Sequence, residues 1–367
     1  MDDLNVPPLA PAWLWPPVFF VVGAMVGSFL NVCIHRLPRD LSVIHPPSHC
    51  PACGARIPWL RNLPLVTWLA QRGRGACCGA RIPSRYVIVE ALTGLLFLAT
   101  WFAWKNTSPA AAVVMCVFLA GLVAATFIDF EHLIIPDVIT LGGTAAGVVA
   151  SVVAPAIQGT AYVGPALLRS LGGAALGAGL IYAVLRLGKL LFGRQRLALA
   201  PGTRLVFTED RLVFPDHELP YEEIFYRRGD TLRLHAARLE LVDRCHANVP
   251  VRLRLKADEL WLADEKLSAE SVKHLEVVTD RVELPREAMG PGDVKFMAAI
   301  GAFIGWQGVL FTLVMSSLVG AAVGVALIAI GRRDWSSRIP YGPYLALAAA
   351  VYALGARQWV EAWWMGR

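Results

Sequence analysis

The strongest constraint on this chain is a series of long runs without one charged side chain. A helix crossing the roughly 30 Å hydrocarbon core of a bilayer needs about 20 apolar residues. Trp13–Ile34, Asn106–Ile128 and Ile339–Ala356 are charge-free runs near that length, and each predicts one span. Ala91–Trp104, extended back through Glu90 to Tyr86, predicts another, and Arg169–Phe192 one more. Val138–Leu168 exceeds a single crossing, and Pro155, Gln158, Gly159 and Pro165 turn its second half into a loop. Phe296–Gly331 holds 36 uncharged residues, about 54 Å of helix. It must therefore contain two crossings, or one crossing and a re-entrant piece, with the break at Trp306-Gln307-Gly308. The expected fold is an α-helical polytopic membrane protein with about eight transmembrane helices. A mean hydropathy of +0.52 and a charged fraction of 17%, against about 25% in soluble domains, exclude an ordinary soluble globular protein.

Charge sets the orientation. Residues 35–86 carry eight Arg and one acid, Asp40, the mark of a cytoplasmic loop under the positive-inside bias rather than of a nucleic-acid surface. On that basis both termini lie outside, while the tip near Asp129–Asp137 and the cluster Arg332, Arg333 and Arg338 lie inside. Residues 190–289 break the pattern, holding 16 of the 34 Lys+Arg and 18 of the 28 Asp+Glu. Within them Thr203–Phe207, Arg211–Phe214, Thr231–His235, Arg238–Val242, Val251–Leu255, Glu259–Ala263 and Val277–Leu284 alternate apolar with polar residues, the signature of short antiparallel strands. One or two helical turns are expected near Ser268–His274. The expected organisation is a first transmembrane helix over 13–34, a cytoplasmic Arg/Cys-rich loop domain over 35–85 and transmembrane helices two to five over 86–192. An inserted soluble β-rich domain over 193–289 and helices six to eight over 290–367 complete it.

Two sets of residues carry chemistry. Cys50-Pro-Ala-Cys53 and, further on, Cys77-Cys78 have nearly the ligand spacing of a tetrahedral structural zinc site, with Gly54 and Gly79 as the knuckle glycines. Thiols on a cytoplasmic loop stay reduced, which favours metal over disulfide. Adjacent cysteines chelate one ion poorly, and a regular C-x-x-C needs a cysteine where Gly75 stands. The expected ligands are Cys50, Cys53, Cys78 and either Cys77 or His49. The second set is acidic. Charge at membrane depth is costly and points to function, and Glu90, Asp129, Glu131, Asp137 and Asp293 are the acids in or beside spans. Asp129 ends one apolar run and Asp293 opens another at the same expected membrane face. Two such carboxylates brought together share a proton, one activating water and the other protonating the scissile amide. Each acid also has a structural reading. Asp137 after Pro136 reads as an N-cap, Asp293 as a cap beside Lys295, and Glu131 and His132 as solvated interfacial groups.

Taken in order, the motifs resemble one family. Gly27-Ser28-Phe29-Leu30-Asn31, His35-Arg36-Leu37-Pro38, Cys50-Pro-Ala-Cys53-Gly54, Asn62-Leu63-Pro64, Arg85-Tyr86 with Glu90, Asp129 with Asp137, Gly290-Pro-Gly-Asp293-Val-Lys295 and Ile339-Pro-Tyr-Gly-Pro-Tyr344 are similar to the bacterial type IV prepilin peptidases. The resemblance covers the chain outside about 195–287. It implies a G-x-G-D aspartic endopeptidase of the bacterial inner membrane with its active site at the cytoplasmic face. Such an enzyme removes the leader of type IV prepilins or type II secretion pseudopilins, and commonly N-methylates the new terminus with S-adenosylmethionine.

Carried over residue by residue, the resemblance makes Asp129 and Asp293 the catalytic pair, supported by Gly290, Gly292, Lys295, Asp137 and Glu90. Cys50, Cys53 and Cys78 match metal-site cysteines, whereas Gly75 departs from the pattern where the fourth is expected. Gly73 matches a loop glycine tied to methyl transfer. No G-x-G-x-x-G fingerprint marks a cofactor domain. The insertion is a second departure, expected to gate substrate or dock pilus or secretion assembly proteins. Among substrate contacts, Glu90 or Glu131 is expected to meet the basic leader. The competing readings are a G-x-G-D protease acting on another membrane substrate, and an inactive scaffold whose β-domain binds a partner.

Overall fold

The computed structural model describes residues 11–50, 52–58, 63–192, 194–208, 210–216, 218–225, 230–241, 245–254, 259–262, 265–268, 275–285, 290–330 and 340–364. The chain forms two compact units, Met1–Tyr182 with Gly290–Arg367, and Ala183–Met289. The division falls inside a helix, earlier than position 193, where the alternating pattern predicts the insertion to begin.

The first unit is helical. Its elements are α1 (Trp15–Arg36), the short α2 (Val66–Ala70), α3 (Arg85–Trp104), α4 (Pro109–His132), α5 (Asp137–Val153) and α6 (Val163–Phe192), which runs on into the second unit. A short helix, α7 (Tyr221–Ile224), belongs to the second unit, and the first resumes with α8 (Pro291–Ala329) and α9 (Gly342–Val351). A π-helical turn over Tyr352–Ala356 leads into α10 (Arg357–Trp364). Among the described residues, α1, α3, α4, α6 and α8 are long and apolar enough to cross a membrane, and α5 is a shorter apolar helix. Helix ends follow their local chemistry. Pro109 starts α4 behind an N-cap Ser108 that accepts from the Ala111 N–H, and Leu133 closes it in the left-handed region.

Small residues let these helices approach closely, as membrane interfaces require where no hydrophobic drive between helices exists. A Cβ on Gly27 of α1 would lie 2.7 Å from the Glu90 Cα of α3, and one on Gly301 of α8 would lie 2.2 Å from the Gly173 carbonyl oxygen of α6. Larger residues at either place would force the backbones apart. Inside α8 the helix breaks at Gly305 (φ 70°, ψ −179°), one residue ahead of the expected break, because glycine alone takes that conformation without strain. The break frees backbone carbonyls that lipid cannot satisfy. Gln158 meets the need by donating from Nε2 to the Ala302 and Phe303 carbonyls at 2.8 and 3.1 Å, and the Ser170 hydroxyl donates to Ala302 at 2.8 Å.

The second unit is built on an antiparallel sheet of eight strands in the order β3-β2-β1-β8-β4-β5-β6-β7. The strands are β1 (Arg194–Phe207), β2 (Arg211–Val213), β3 (Glu218–Pro220), β4 (Leu232–Leu241), β5 (Cys245–Arg254), β6 (Glu259–Leu262), β7 (Glu265–Leu267) and β8 (Leu275–Pro285). Alternate residues Leu232 and Leu234, Val251 and Leu253, Leu260 and Leu262, and Leu275 and Val277 point into one core with Phe207 and Phe225. The segments expected as Thr231–His235 and Arg238–Val242 merge into β4, since alternation that continues through Ala236 needs no turn between them. Of the three three-residue strands, β2 falls within the expected Arg211–Phe214, whereas β3 and β7 are too short to show a period. The helical turn expected near Ser268–His274 lies mostly outside the described residues.

Candidate active site

Asp129 sits in the last turn of α4 and Asp293 in the first turn of α8, both buried. A helix end and a helix start from distant parts of the sequence thus meet around Ile135. A Cβ on Gly342, whose N–H binds Asp129, would lie 3.1 Å from Ile135, and one on Gly292, the neighbour of Asp293, 3.7 Å. One oxygen of Asp129 is fixed. Its Oδ2 accepts from the Gly342 N–H at 2.9 Å, at the start of α9. A Cβ on Gly342 would lie 2.7 Å from that same oxygen, so only glycine admits this approach. Gly342 was missed by spacing arguments, although its place before Pro343 at the head of an apolar span is the kind of signal that marks a close backbone contact.

Gly290 is the extended N-cap of α8, with Pro291 following at the first helical position, and its carbonyl accepts from the Asp293 N–H at 3.2 Å. Cβ atoms built on Gly290 and Gly292 would meet their nearest neighbours only at 3.7 Å, the Asp293 carboxylate and Ile135 respectively. The protein's own packing leaves room beside both. Asp137 is the first residue of α5, with Pro136 as the cap and no capping bond from its side chain. Its carboxylate instead pairs with Lys295 at 2.6 Å, so the N-cap reading gives way to an ion pair between α5 and α8.

Glu131 lies two residues beyond Asp129 and is paired with Arg85. Glu90 is not a surface acid. It is 7% exposed and its Oε2 accepts from the Leu65 N–H at 2.7 Å, which corrects the expectation that it meets the leader of a substrate. Close packing of α1 on α3 covers it.

The four cysteines come together. All four Sγ atoms lie within 4.8 Å of one another, with Cys53–Cys77 at 3.4 Å, Cys50–Cys78 at 3.7 Å and Cys77–Cys78 at 3.8 Å. A tetrahedron with metal–sulfur bonds of about 2.3 Å has edges of about 3.8 Å, so the donor set fits one tetrahedral ion.

The loop is a pair of matching knuckles. Cys50 N–H donates to Ala55 and Gly54 N–H to Cys50, while Gly75 N–H donates to Ala80 and Gly79 N–H to Gly75. Gly54 and Gly79 both stand at positive φ, 70° and 69°. Gly75 therefore occupies the position that Cys50 holds in the first knuckle. A Cβ there would lie 3.8 Å from the Cys77 Sγ, so the Cys77 thiol reaches back into the place of the missing side chain. The expected weakness of adjacent ligands is resolved in this way, and His49 is left outside, its ring bonded to the Pro47 carbonyl. Backbone N–H groups of Cys53 and Ala52 pull the Cys50 thiol down to about 6, the direction a ligand thiolate needs.

Gly73 turns at φ 67° directly against the Trp68 indole, where a Cβ would lie 3.1 Å from the ring. Asn31 of α1 is 1% exposed and donates to the Gly27 and Tyr86 carbonyls, while its Oδ1 has no partner among the described residues. Neither Trp68 nor Asn31 carried a role in the sequence reading.

Two family models match the chain. The bacterial peptidase A24 N-terminal domain matches residues 21–104, and the type IV leader peptidase family matches residues 116–205 and 282–325. The stretch between the last two segments lies in the inserted sheet. Among curated proteins, the chain is 28% identical over 366 residues to a prepilin leader peptidase/N-methyltransferase of Aeromonas hydrophila, covering 93% of this chain and 91% of that protein. It is 28% identical over 362 residues to the protein of the same description from Pseudomonas aeruginosa, covering 92% and 89%. A protein so described from Myxococcus xanthus is 44% identical over 137 residues, covering 37% of this chain and 40% of that protein. No solved structure matches.

Proposed function

The chain belongs to the bacterial type IV leader peptidase family, and from that premise we propose that Asp129 and Asp293 are its catalytic pair, cutting the leader from type IV prepilins or type II secretion pseudopilins. The single observation that supports this most directly is the convergence of two buried carboxylates, from the end of α4 and the start of α8, on one site around Ile135. One carboxylate takes a proton from water as its oxygen attacks the scissile carbonyl carbon. The other, protonated, hydrogen-bonds the carbonyl oxygen and then passes a proton to the leaving nitrogen as the C–N bond breaks. The Gly342 N–H holds Asp129 in place through both steps. The room beside Gly290 and Gly292 accepts the extended backbone of the substrate, and Lys295 and Asp137 brace the mouth of the site.

The enzyme also N-methylates the amine that cleavage exposes. S-adenosylmethionine supplies an electrophilic methyl group on a sulfonium sulfur, and transfer forms one N–C bond as the S–C bond breaks, sulfur keeping the electron pair and the amine losing a proton to solvent. Cys50, Cys53, Cys77 and Cys78 hold a structural zinc that ties the two knuckles together. Eight crossings follow when α8 is counted as two at the Gly305 break and α9 with α10 as one. Arginines at 36, 39, 56, 72, 74, 81 and 85 support a position of the knuckles and the aspartates at the cytoplasmic face of the inner membrane. The inserted sheet serves as a docking module for pilus or secretion assembly proteins.

The test is co-expression with a prepilin and mass spectrometry of the product. The intact protein removes the leader and adds one methyl, whereas Asp129→Asn and Asp293→Asn each leave the precursor full length. Cleavage that survives both substitutions overturns the assignment.

A further inference from the structure

One feature unused by proteolysis is a cavity of about 550 Å³ between the first and third helices and the cysteine knuckles, well within the size range of about 300–1,000 Å³ for small-molecule sites. Its lining is chemically specific. Asn31 and Glu90 line it from the helices, Trp68 and Tyr86 add aromatic rings, and Arg56 and Arg81 add positive charge from the two knuckles. The Oδ1 of Asn31 is the notable atom. Its amide nitrogen is committed to two carbonyls, the side chain is almost fully buried, and the oxygen has no partner among the described residues. A buried acceptor without a donor costs about 1–3 kcal/mol, and a ligand that donates to it removes that cost. Glu90 is a buried carboxylate that accepts from the Ser28 side chain and from the backbone N–H of Leu65, a non-glycine residue at φ 61°. Holding that residue in a conformation side chains disfavour is a cost borne to fix the carboxylate.

The cavity therefore presents the Asn31 and Glu90 oxygens on its helix wall, the Arg56 and Arg81 cations on its knuckle wall with Arg36 at the end of α1, and ring faces between. A ligand matching all three carries positive charge and amino donors, a carboxylate, and a flat ring system. Resting on the methyl-transfer reading above, we infer that this cavity is the methyl-donor site, with Asn31 Oδ1 and Glu90 meeting the donor's cationic and amino groups, Arg56 and Arg81 its carboxylate, and Trp68 its purine.

Two further observations agree. Gly73 leaves no space for a Cβ against the Trp68 ring, so any side chain there displaces a wall of the cavity. Tyr86, which lines it, is the neighbour of Arg85, and Arg85 pairs with Glu131. Glu131 follows Asp129 by two residues in α4, so a chain of neighbouring residues links the cavity wall to the region where the new amine is made.

The experiment uses the full chain in detergent and tritiated S-adenosylmethionine. Equilibrium binding is measured for the intact protein and for Asn31→Leu, and ultraviolet cross-linking followed by peptide mapping locates the label on the intact protein. The expected results are label on peptides containing Trp68 or Tyr86, competed away by unlabelled donor, and binding weakened about 10- to 100-fold by Asn31→Leu, the worth of a hydrogen bond to a charged ligand. Tight binding with label elsewhere, or unchanged affinity in Asn31→Leu, overturns the site while the methyl-transfer reading stands. An intact protein that cleaves prepilin but neither binds the donor nor methylates overturns both.

Discussion

Replacing Gly342 with alanine tests directly the contact that positions Asp129. The added Cβ would lie 2.7 Å from Asp129 Oδ2, 3.2 Å from its Cγ and 3.1 Å from Ile135 Cδ1. The carboxylate must swing away, and with it goes the 2.9 Å bond from the Gly342 N–H. A hydrogen bond to a charged acceptor is worth about 1.5–3 kcal/mol. Lost from the transition state, that is about 10- to 150-fold in kcat/KM. The fold loses the same buried bond and takes the clash, and the gain of about 0.5–1 kcal/mol for alanine over glycine in a helix, here at the first residue of α9, offsets only part of that cost. The assay is leader removal from a purified prepilin by protein in detergent, beside thermal unfolding of both variants and methylation of an already mature pilin. Cleavage falls by at least about tenfold, the melting temperature falls modestly, and methylation of mature pilin is unchanged. Gly342→Ala cleaving within a factor of about two of the intact protein refutes the claim that this amide positions Asp129.

Three further predictions test the remainder. Protein purified without chelators contains one zinc by elemental analysis, Cys77→Ser loses most of it, and Gly75→Cys combined with Cys77→Ala regains it by restoring a regular C-x-x-C in the second knuckle. Gln158→Ala leaves the Ala302 and Phe303 carbonyls short of donors at the α8 break, at a cost of about 1–3 kcal/mol, which thermal unfolding in detergent reads as a clear drop in melting temperature. The Lys295–Asp137 pair is substantially exposed on both sides, 41% and 60%, and is worth at most about 1 kcal/mol to the fold. Lys295→Ala therefore leaves the melting temperature nearly unchanged while slowing cleavage, and equal small effects on both measurements mean that the lysine has no role in the site.

Much of this was legible from spacing, and what was not has physical reasons. Long charge-free runs report helices directly, and even the break in α8 was visible within one residue because a run of 36 uncharged residues exceeds the bilayer. Periodicity reports strands only when several residues alternate, so β4 to β6 and β8 showed themselves while β3 and β7 did not. The candidate aspartates could be named but not brought together, since nothing local says that the end of α4 meets the start of α8; the motif resemblance supplied that pairing. Glu90 misled because a carboxylate near a membrane edge looks exposed in one dimension, whereas close packing at Gly27 buries it. Cys77 misled in the opposite sense. Adjacent cysteines look incompatible with one ion until the two knuckles are laid side by side and one thiol is seen to reach back over Gly75.

The inserted sheet enters and leaves through neighbours. Arg194 at the start of β1 lies opposite Pro285 at the end of β8, in a ladder that continues to Phe207 and Leu275. To the chain on either side, almost a hundred residues are thus equivalent to a short hairpin with two closely spaced ends. A duplication or deletion at that point leaves the connection between α6 and α8 nearly the same length in space. Such a graft point lets evolution exchange or elaborate the appended module while the membrane enzyme that carries it stays as it was, and offers the protein engineer a ready site for a tag, a reporter or a foreign binding domain.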